Sequence, residues 1–242
     1  DLAAKAPELT AASGRDGALN AYKSTDNSRV ILALSAIGRD AAQVGGCDLT
    51  APYADFAWVS NQGINGPIFA LLALDSRNYL PGSAVRRQCV DAILSAECSG
   101  GGWAFGGSAA DPDMTAMALQ ALAKYRDRQD VADAVERGLT VLSQQQEENG
   151  GFVAYDSESS ESIAQVIVAL TELDVSLTDS RFVKSGNTLV SRLLEFRTEN
   201  GAFRHILDGE EDVMATEQGF YALVAVSRAE QGKSTLYTMT EA

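Results

Sequence analysis

A short apolar phrase ending in Ala-Leu recurs five times along this chain of 242 residues. Its copies occupy residues 30–34, 70–74, 118–122, 166–170 and 219–223, and their final leucines are 40, 48, 48 and 53 residues apart. A period of that length fits a pair of helices with two connections, and self-similarity at roughly 20–50 residues is typical of repeat architectures. The repeat therefore predicts an all-α chain built from helix pairs.

A glycine-aromatic turn precedes the last three copies of the phrase. In each turn a glycine stands two residues before a ring, and the pairs are Gly101 and Trp103, Gly150 and Phe152, and Gly201 and Phe203. Glycine permits the positive φ of a tight reversal, and a ring fills the gap between neighbouring helices. We therefore expect the three rings to be buried between adjacent outer and inner helices.

The segments between these landmarks indicate helices of two kinds. One kind is amphipathic, with Val131 and Val135 on one face, and a second such helix is expected to expose Arg192 and Glu195. Residues 163–170 are apolar on most sides, which is typical of a helix that is buried all round. Alternation of the two kinds predicts two concentric layers, as in a barrel of inner helices wrapped by outer helices. An open solenoid fits less well, because its inner layer would face solvent.

The landmarks also give approximate helix bounds. Inner helices are expected near residues 26–37, 64–76, 111–126, 158–173 and 212–228. Outer helices are expected near residues 3–22, with a break at Gly14, and near residues 51–61, 82–97, 130–147 and 180–197. Because no proline- or serine-rich linker separates them, the chain is predicted to be a single domain over residues 1–242.

The formal charge of −14 makes some partners improbable. An acidic surface repels phosphate backbones and anionic membranes, so we expect no nucleic-acid partner. No apolar run approaches the roughly 18 residues that a bilayer span needs, and no membrane insertion is expected.

Three cysteines and one histidine give little support to a metal site. Cys47, Cys89 and Cys98 form no metal motif, and their odd number leaves at least one thiol unpaired within the chain. The sole histidine, His205, is interpreted as an ordinary loop residue, so no Cys/His zinc site is expected.

The turns resemble the motif of squalene and oxidosqualene cyclases in which a glutamine precedes a Gly-x-aromatic by four residues. Gln146, Gly150 and Phe152 fit that spacing, whereas Glu97 and Arg197 replace the glutamine in the other two turns. The phrases at residues 62–66, 111–122, 157–162 and 214–218 are also similar to repeat domains in secreted or surface proteins of Gram-positive bacteria.

The resemblance covers about residues 26–228 and implies the α/α toroid of the prenyltransferase and squalene-cyclase repeat family. We count about five inner and five outer helices, whereas toroids of this family usually close with six of each. We therefore expect a portion of a longer secreted or surface protein, with another helix pair upstream of Asp1. The chain opens without a charged-then-apolar leader, so we expect either that a signal peptide was removed or that the chain is a piece of a longer protein.

The resemblance also points to a candidate acid. Class II cyclases protonate their substrate with the central acid of an Asp-x-Asp-Asp motif. Asp113 matches that acid and Asp111 matches the first position, but Met114 replaces the last aspartate. Loss of that charge and the positive end of the helix dipole both favour ionisation, so we expect Asp113 to be ionised and to cap its helix. The structural alternative to a catalytic acid makes Asp111 the N-cap and Pro112 the first helical residue, with Asp113 beside the positive end of the helix dipole.

Six carboxylates fall at or near the starts of inner helices, namely Asp111, Asp113, Glu158, Glu161, Asp212 and Glu217. In a toroid these starts gather at one end of the central cavity, so all six are candidate ligand-binding residues at its mouth. Paired carboxylates are also what glycosidases need, and acids at helix starts compensate helix dipoles.

We expect a non-catalytic ligand-binding or interaction module of a secreted or surface bacterial protein. The alternative is a terpenoid-cyclase or prenyltransferase-like enzyme with Asp113 as general acid. An aromatic content of 7% favours the first, because a cyclase chamber needs rings that stabilise carbocations. The expected partner is a small molecule, lipid, glycan or protein. No metal or cofactor is expected, and a corrinoid is suggested only by analogy of fold.

Overall fold

Helices dominate the computed structural model, which describes residues 2–154 and 156–240. The described residues form ten α-helices. They are α1 (Leu2–Ser13), α2 (Ser24–Ala36), α3 (Phe56–Ser60), α4 (Asn65–Ser76), α5 (Ala84–Ser95), α6 (Pro112–Leu122), α7 (Gln129–Gln145), α8 (Ser160–Glu172), α9 (Leu189–Glu195) and α10 (Val213–Glu230). The predicted all-α class is confirmed.

Three antiparallel hairpins of two-residue strands interrupt the helices. They pair β1 (Val153–Ala154) with β2 (Ser157–Glu158), β3 (Val183–Lys184) with β4 (Asn187–Thr188), and β5 (Phe203–Arg204) with β6 (Glu211–Asp212). The first and third hairpins begin at or just after a turn aromatic and lead into α8 and α10. Strands this short carry no alternating pattern, so the sequence did not predict them.

The described residues divide into two compact units. One is drawn from Asp1–Ala96 and Tyr237–Ala242, and the other is Glu97–Leu236. In the first unit α4 packs against α2, α3 and α5. In the second, α8 packs against α6, α9 and α10, while α7 packs against α6. The single domain over residues 1–242 and the helix pair upstream of Asp1 stay predictions.

Within the units, fully buried and half-buried helices occur as predicted. Nearly every residue of α8 is buried, whereas α7 buries only one face, which includes Val131 and Val135. The helix expected near residues 212–228 is present as α10 but is half-buried, since its side chains include the exposed Phe220 and Val224.

The prediction of an outer helix near residues 180–197 is wrong over the first half of that range. A 3-10 turn (Ser180–Phe182) and the hairpin β3–β4 replace it, because Ser185 and Gly186 adopt φ values of 49° and 86° that reverse the chain. A helix begins at Leu189, where Thr188 supplies the N-cap side chain. Arg192, which we expected to be exposed, is buried and paired with a carboxylate.

Two further outer helices are shorter than expected. The first ends at Ser13, and residues 14–22 form turns in which Gly14 and Gly17 adopt φ values of 69° and 73°. The helix expected near residues 51–61 divides at Asp55, whose side chain accepts a hydrogen bond from Ala57 N and caps α3. No helix in the described part of the chain is long and apolar enough to cross a membrane.

The glycine-aromatic turns have the predicted structure. Trp103, Phe152 and Phe203 are fully buried, and the glycine two residues before each ring has φ close to 90°. Gln146 reinforces its turn, since its Nε2 donates to Gly150 O at 3.0 Å. These turns set the start of each following helix and thereby position the candidate site.

Candidate functional site

A cavity of about 250 Å³ lies within the unit Glu97–Leu236, among residues of α6, α8 and α10 and of the segments that precede the last two. Its polar and ionisable lining residues are Asp113, Ser157, Ser159, Glu161, Gln165, His205 and Gln218. Its apolar lining residues are Met117, Ala154 and Met214.

The start of α6 directs one carboxylate into this cavity and uses another to begin the helix. Asp111 is the N-cap, because its Oδ1 accepts a hydrogen bond from Met114 N at 2.8 Å and its Oδ2 accepts one from Phe105 N at 2.8 Å. Pro112 follows as the first helical residue, as one interpretation of the sequence predicted. Asp113 lines the cavity and does not cap the helix, so that part of our expectation was wrong.

The pKa of Asp113 is raised from its ordinary value, chiefly by burial of the carboxyl group. The charges of Asp111 and Glu161 raise this pKa further, whereas a hydrogen bond with Ser162 and the charge of His205 act in the opposite direction. We had expected a lower pKa from the loss of the neighbouring aspartate at Met114. Burial of Asp113 raises its pKa by more than the missing aspartate would lower it. Burial depends on tertiary packing, which the local sequence does not reveal.

Glu161 is the more deeply buried of the two cavity carboxylates, with 9% of its side chain exposed. Its Oε2 lies 2.9 Å from His205 Nδ1 and accepts a hydrogen bond from Ser160 Oγ at 3.2 Å. Its Oε1 is buried and has no hydrogen-bond partner among the described residues, as is also true of Asp113 Oδ1. Two residues that line the cavity, Asp113 and Glu161, therefore each hold one buried oxygen that this part of the chain does not satisfy.

His205 reaches the cavity because the hairpin β5–β6 is tied to the start of α8. Ser160 N donates to His205 O at 3.0 Å, and Ser160 Oγ donates to Arg204 O at 2.7 Å. The sequence interpretation gave His205 no role. The repeat itself holds a signal, since His205 and Ala154 each lie two residues after a turn aromatic and both line the cavity.

A ladder of glutamines links the three helices around the cavity. Gln120 Nε2 donates to Gln165 Oε1 at 2.9 Å, and Gln165 Nε2 donates to Gln218 Oε1 at 3.0 Å. The ladder fixes the side chains of Gln165 and Gln218 in the cavity wall. We had not singled out these residues, because isolated amides in apolar helix phrases form no motif.

The other predicted site carboxylates do not line the cavity. Glu158 pairs with Arg192, with its two oxygens 2.7 and 2.5 Å from Nε and Nη2 of the guanidinium group. Asp212 caps α10 by accepting a hydrogen bond from Ala215 N at 2.8 Å, and Glu217 is exposed. Of the six candidates, the structure brings Asp113 and Glu161 together around the cavity.

The carboxylates of Asp113 and Glu161 can accept hydrogen bonds and attract positive charge. They can also exchange protons with the imidazole of His205. Within residues 2–154 and 156–240, no group of three or more His, Cys, Asp or Glu side chains is placed to hold a metal ion.

Residues 71–202 match the family model of the squalene-hopene cyclase C-terminal domain, which is more than half of the chain. The chain belongs to this family. The match runs from α4 to beyond α9 and includes Asp113 and Glu161, whereas His205 and Gln218 lie after its end. No curated protein matches the chain. The predicted membership of the squalene-cyclase repeat family is confirmed, and the likeness to Gram-positive surface proteins stays a prediction.

Proposed function

We propose that this chain is a non-catalytic ligand-binding module of a secreted or surface bacterial protein, with the cavity of the unit Glu97–Leu236 as its binding site. The supporting observation is the pair of buried carboxylate oxygens, Asp113 Oδ1 and Glu161 Oε1, that lack hydrogen-bond partners among the described residues. A buried acceptor without a donor costs stability, and a bound ligand that donates a hydrogen bond removes that cost. The extracellular setting rests on the similarity of several sequence phrases to repeat domains of secreted proteins.

The size and lining of the cavity favour binding over cyclisation. Its volume of about 250 Å³ lies below the roughly 300–1,000 Å³ of pockets for drug-sized ligands, and polyprenoid substrates are larger still. Carbocation chemistry needs aromatic faces that stabilise positive charge. Among the described lining residues, the imidazole of His205 is the only ring.

One observation favours a second candidate function, a terpenoid-cyclase-like enzyme with Asp113 as general acid. Burial raises the pKa of Asp113, and the carboxylates of Asp111 and Glu161 act in the same direction. A general acid must hold its proton at the working pH, and a raised pKa increases the protonated fraction. The cavity volume and the scarcity of rings oppose this alternative.

The two functions are separated by a turnover assay. We expect no product when the purified protein is incubated with squalene-like and polyprenyl diphosphate substrates and the extracts are analysed by gas chromatography. The variants Asp113→Asn and Glu217→Gln form a matched pair, because each replaces one acid by its amide and Glu217 is exposed outside the cavity. A cyclised product that the native protein and Glu217→Gln both make, and that Asp113→Asn does not, would establish the enzyme instead.

Binding itself is tested on protein purified from its own host. We expect native mass spectrometry to show a retained small molecule on the native protein and on Glu217→Gln. Glu161→Gln should lose that mass, because the substitution removes the charge of the more buried of the two cavity carboxylates.

A further inference from the structure

The lining of the cavity also indicates a class of ligand, an inference that rests on the proposed function. We infer that the cavity binds a short alkylammonium ion, whose N–H groups donate hydrogen bonds to the carboxylates of Asp113 and Glu161. The alkyl chain of the ligand would lie against Met117 and Met214, which line the same cavity.

Both carboxyl groups that line the cavity have a buried oxygen without a hydrogen-bond partner among the described residues. A carboxylate oxygen accepts hydrogen bonds, and the buried Oε1 of Glu161 has no donor among the described residues. The Glu161 side chain is more than nine-tenths buried, and its other oxygen is engaged by His205 and Ser160. Asp113 Oδ1 adds a second buried acceptor in the same cavity.

The ionisable side chains that line the cavity are two carboxyl groups and one imidazole. No lysine or arginine is among the lining residues that the structure describes, and Arg192, which lies near α8, is engaged by Glu158 and Glu195. A cavity with two carboxyl groups and one imidazole therefore favours a positively charged guest. The net charge of −14 on the whole chain adds a long-range attraction for cations.

The remaining lining distinguishes between kinds of organic cation. Quaternary ammonium groups carry no N–H and are recognised by aromatic cages, but the described lining contains only the ring of His205. Carboxylate oxygens instead suit a cation that carries N–H donors. The flexible thioether side chains of Met117 and Met214 suit an alkyl chain, and the volume of about 250 Å³ keeps that chain short.

The test is isothermal titration calorimetry of the full chain with pentylammonium chloride at neutral pH and fixed ionic strength. We expect saturable binding of one ion per chain, and at least about tenfold weaker binding of 1-pentanol and of tetramethylammonium, which lack the charge or the N–H donors. Glu161→Gln should weaken the binding of pentylammonium about 30-fold or more, as expected for loss of one partner of a buried charged pair. Glu217→Gln makes the same change of charge outside the cavity and should leave the affinity within about twofold.

A second variant covers the case in which Glu161→Gln does not fold. Asp113→Asn alters the other acceptor, and circular dichroism of both variants reports whether the helices are retained. Alkylammonium groups also occur on lysine side chains, so a blocked lysine peptide is titrated in parallel. Binding of this peptide with an affinity similar to that of pentylammonium would assign the cation to a protein partner, and binding of pentylammonium alone would assign it to a small metabolite.

Three outcomes would overturn the inference. Equal affinities for 1-pentanol and pentylammonium would show that charge is not recognised, and would leave the ligand-binding function intact. Equal weakening by Glu161→Gln and Glu217→Gln would show only long-range attraction. If no probe bound saturably, the cation would be rejected, and a neutral molecule retained in native mass spectrometry would still support the binding module.

Discussion

The ring of Phe203 lies so close to Gly219 that a β-carbon built on this glycine would be 2.7 Å from two of the ring's atoms. Phe203 is the buried aromatic of the third turn, and Gly219 lies on the buried face of α10. A similar relationship joins Trp103 and Gly138 on α7, where a β-carbon would be 3.1 Å from the ring. A turn aromatic can thus be seated against a helix because that helix has a glycine at the point of contact.

The first prediction concerns this contact. Gly219→Ala should destabilise the protein by about 1–3 kcal/mol through overpacking, although alanine is the better helix former by about 1 kcal/mol. The free energy of unfolding from urea titration is the measurement. In the background Phe203→Leu the cost of Gly219→Ala should shrink, because the smaller side chain leaves room for the methyl group. An equal cost in both backgrounds would show that the ring is not what excludes the methyl group.

The second prediction concerns the turn aromatics as core residues. Phe152 is fully buried, so Phe152→Ala should lower the free energy of unfolding by about 3–5 kcal/mol. Phe105 lies two residues after another turn aromatic and is 68% exposed, so Phe105→Ala should cost about 0.5 kcal/mol or less. Denaturant melts of the two variants under the same conditions provide the comparison. A cost below about 1 kcal/mol for Phe152→Ala would mean that the ring is not part of the core.

Much of the fold could be predicted because helical periodicity and glycine-aromatic turns are local signals. The apolar run at residues 163–170 predicted the buried helix α8, and the turn at Phe152 predicted a buried ring. The hairpin β3–β4 was missed because the predicted helix was extended across Ser185 and Gly186, although a Ser-Gly dipeptide is a turn signal and both residues adopt positive φ.

The candidate site was predicted only in part, because its residues come together through tertiary contacts. The positions of Asp113 and Glu161 at helix starts were visible in the sequence, but the deep burial that raises the pKa of Asp113 was not. His205 lies 44 residues after Glu161, and the hydrogen bonds of Ser160 hold it there. Arg192 was predicted to be exposed because it falls on the polar face of an amphipathic helical pattern. It is instead paired with Glu158, which lies 34 residues before it in the sequence.

The third prediction concerns that ion pair. Arg192 and Glu158 have 10% and 18% of their side chains exposed, so Arg192→Ala leaves a mostly buried carboxylate without its cation. We expect a loss of about 3 kcal/mol in the free energy of unfolding. Arg137, paired with Glu97, is 51% exposed, and Arg137→Ala should cost about 0.5 kcal/mol because solvent screens that pair. Equal losses in the two variants would show that burial does not strengthen the Arg192 pair.

The fourth prediction concerns the cysteines, all three of which are free thiols in the structure. Burial, and to a lesser extent the charge of Asp75, raise the pKa of Cys89 to about 12, so its reactive thiolate is scarce. Cys47 and Cys98 are partly exposed, although burial also raises the pKa of Cys98. Iodoacetamide at mildly alkaline pH should label Cys47 first and leave Cys89 unmodified until the protein unfolds, as read by peptide mass spectrometry. Labelling of Cys89 in the folded protein at the rate of Cys47 would contradict its burial.

The last prediction concerns the pH dependence of stability that Asp113 produces. Because burial raises its pKa in the folded state, the unfolded chain releases this proton at lower pH than the folded protein does. The contribution of Asp113 to stability is therefore fully present below the ordinary pKa of 3.8 and is lost as pH rises through the higher pKa of the folded state. Asp113→Asn does not titrate, so its stability relative to the native protein should increase over that window and stay constant on either side of it.

Urea denaturation from about pH 3 to about pH 7 at constant ionic strength measures this difference. Asp130 provides a control of opposite sign, because a hydrogen bond from Arg128 lowers the pKa of this exposed carboxylate. Its contribution is present above the ordinary pKa and is lost as pH falls, so Asp130→Asn should be slightly less stable than the native protein at neutral pH and equal to it in acid. Salt should weaken the effect of Asp130 and largely spare that of Asp113, since screening acts on exposed charges. If the stability difference between Asp113→Asn and the native protein did not change with pH, the carboxyl group of Asp113 would be as well solvated in the folded state as in the unfolded chain. Neither the proposed cation site nor the alternative general acid could then rely on a buried carboxyl group at Asp113.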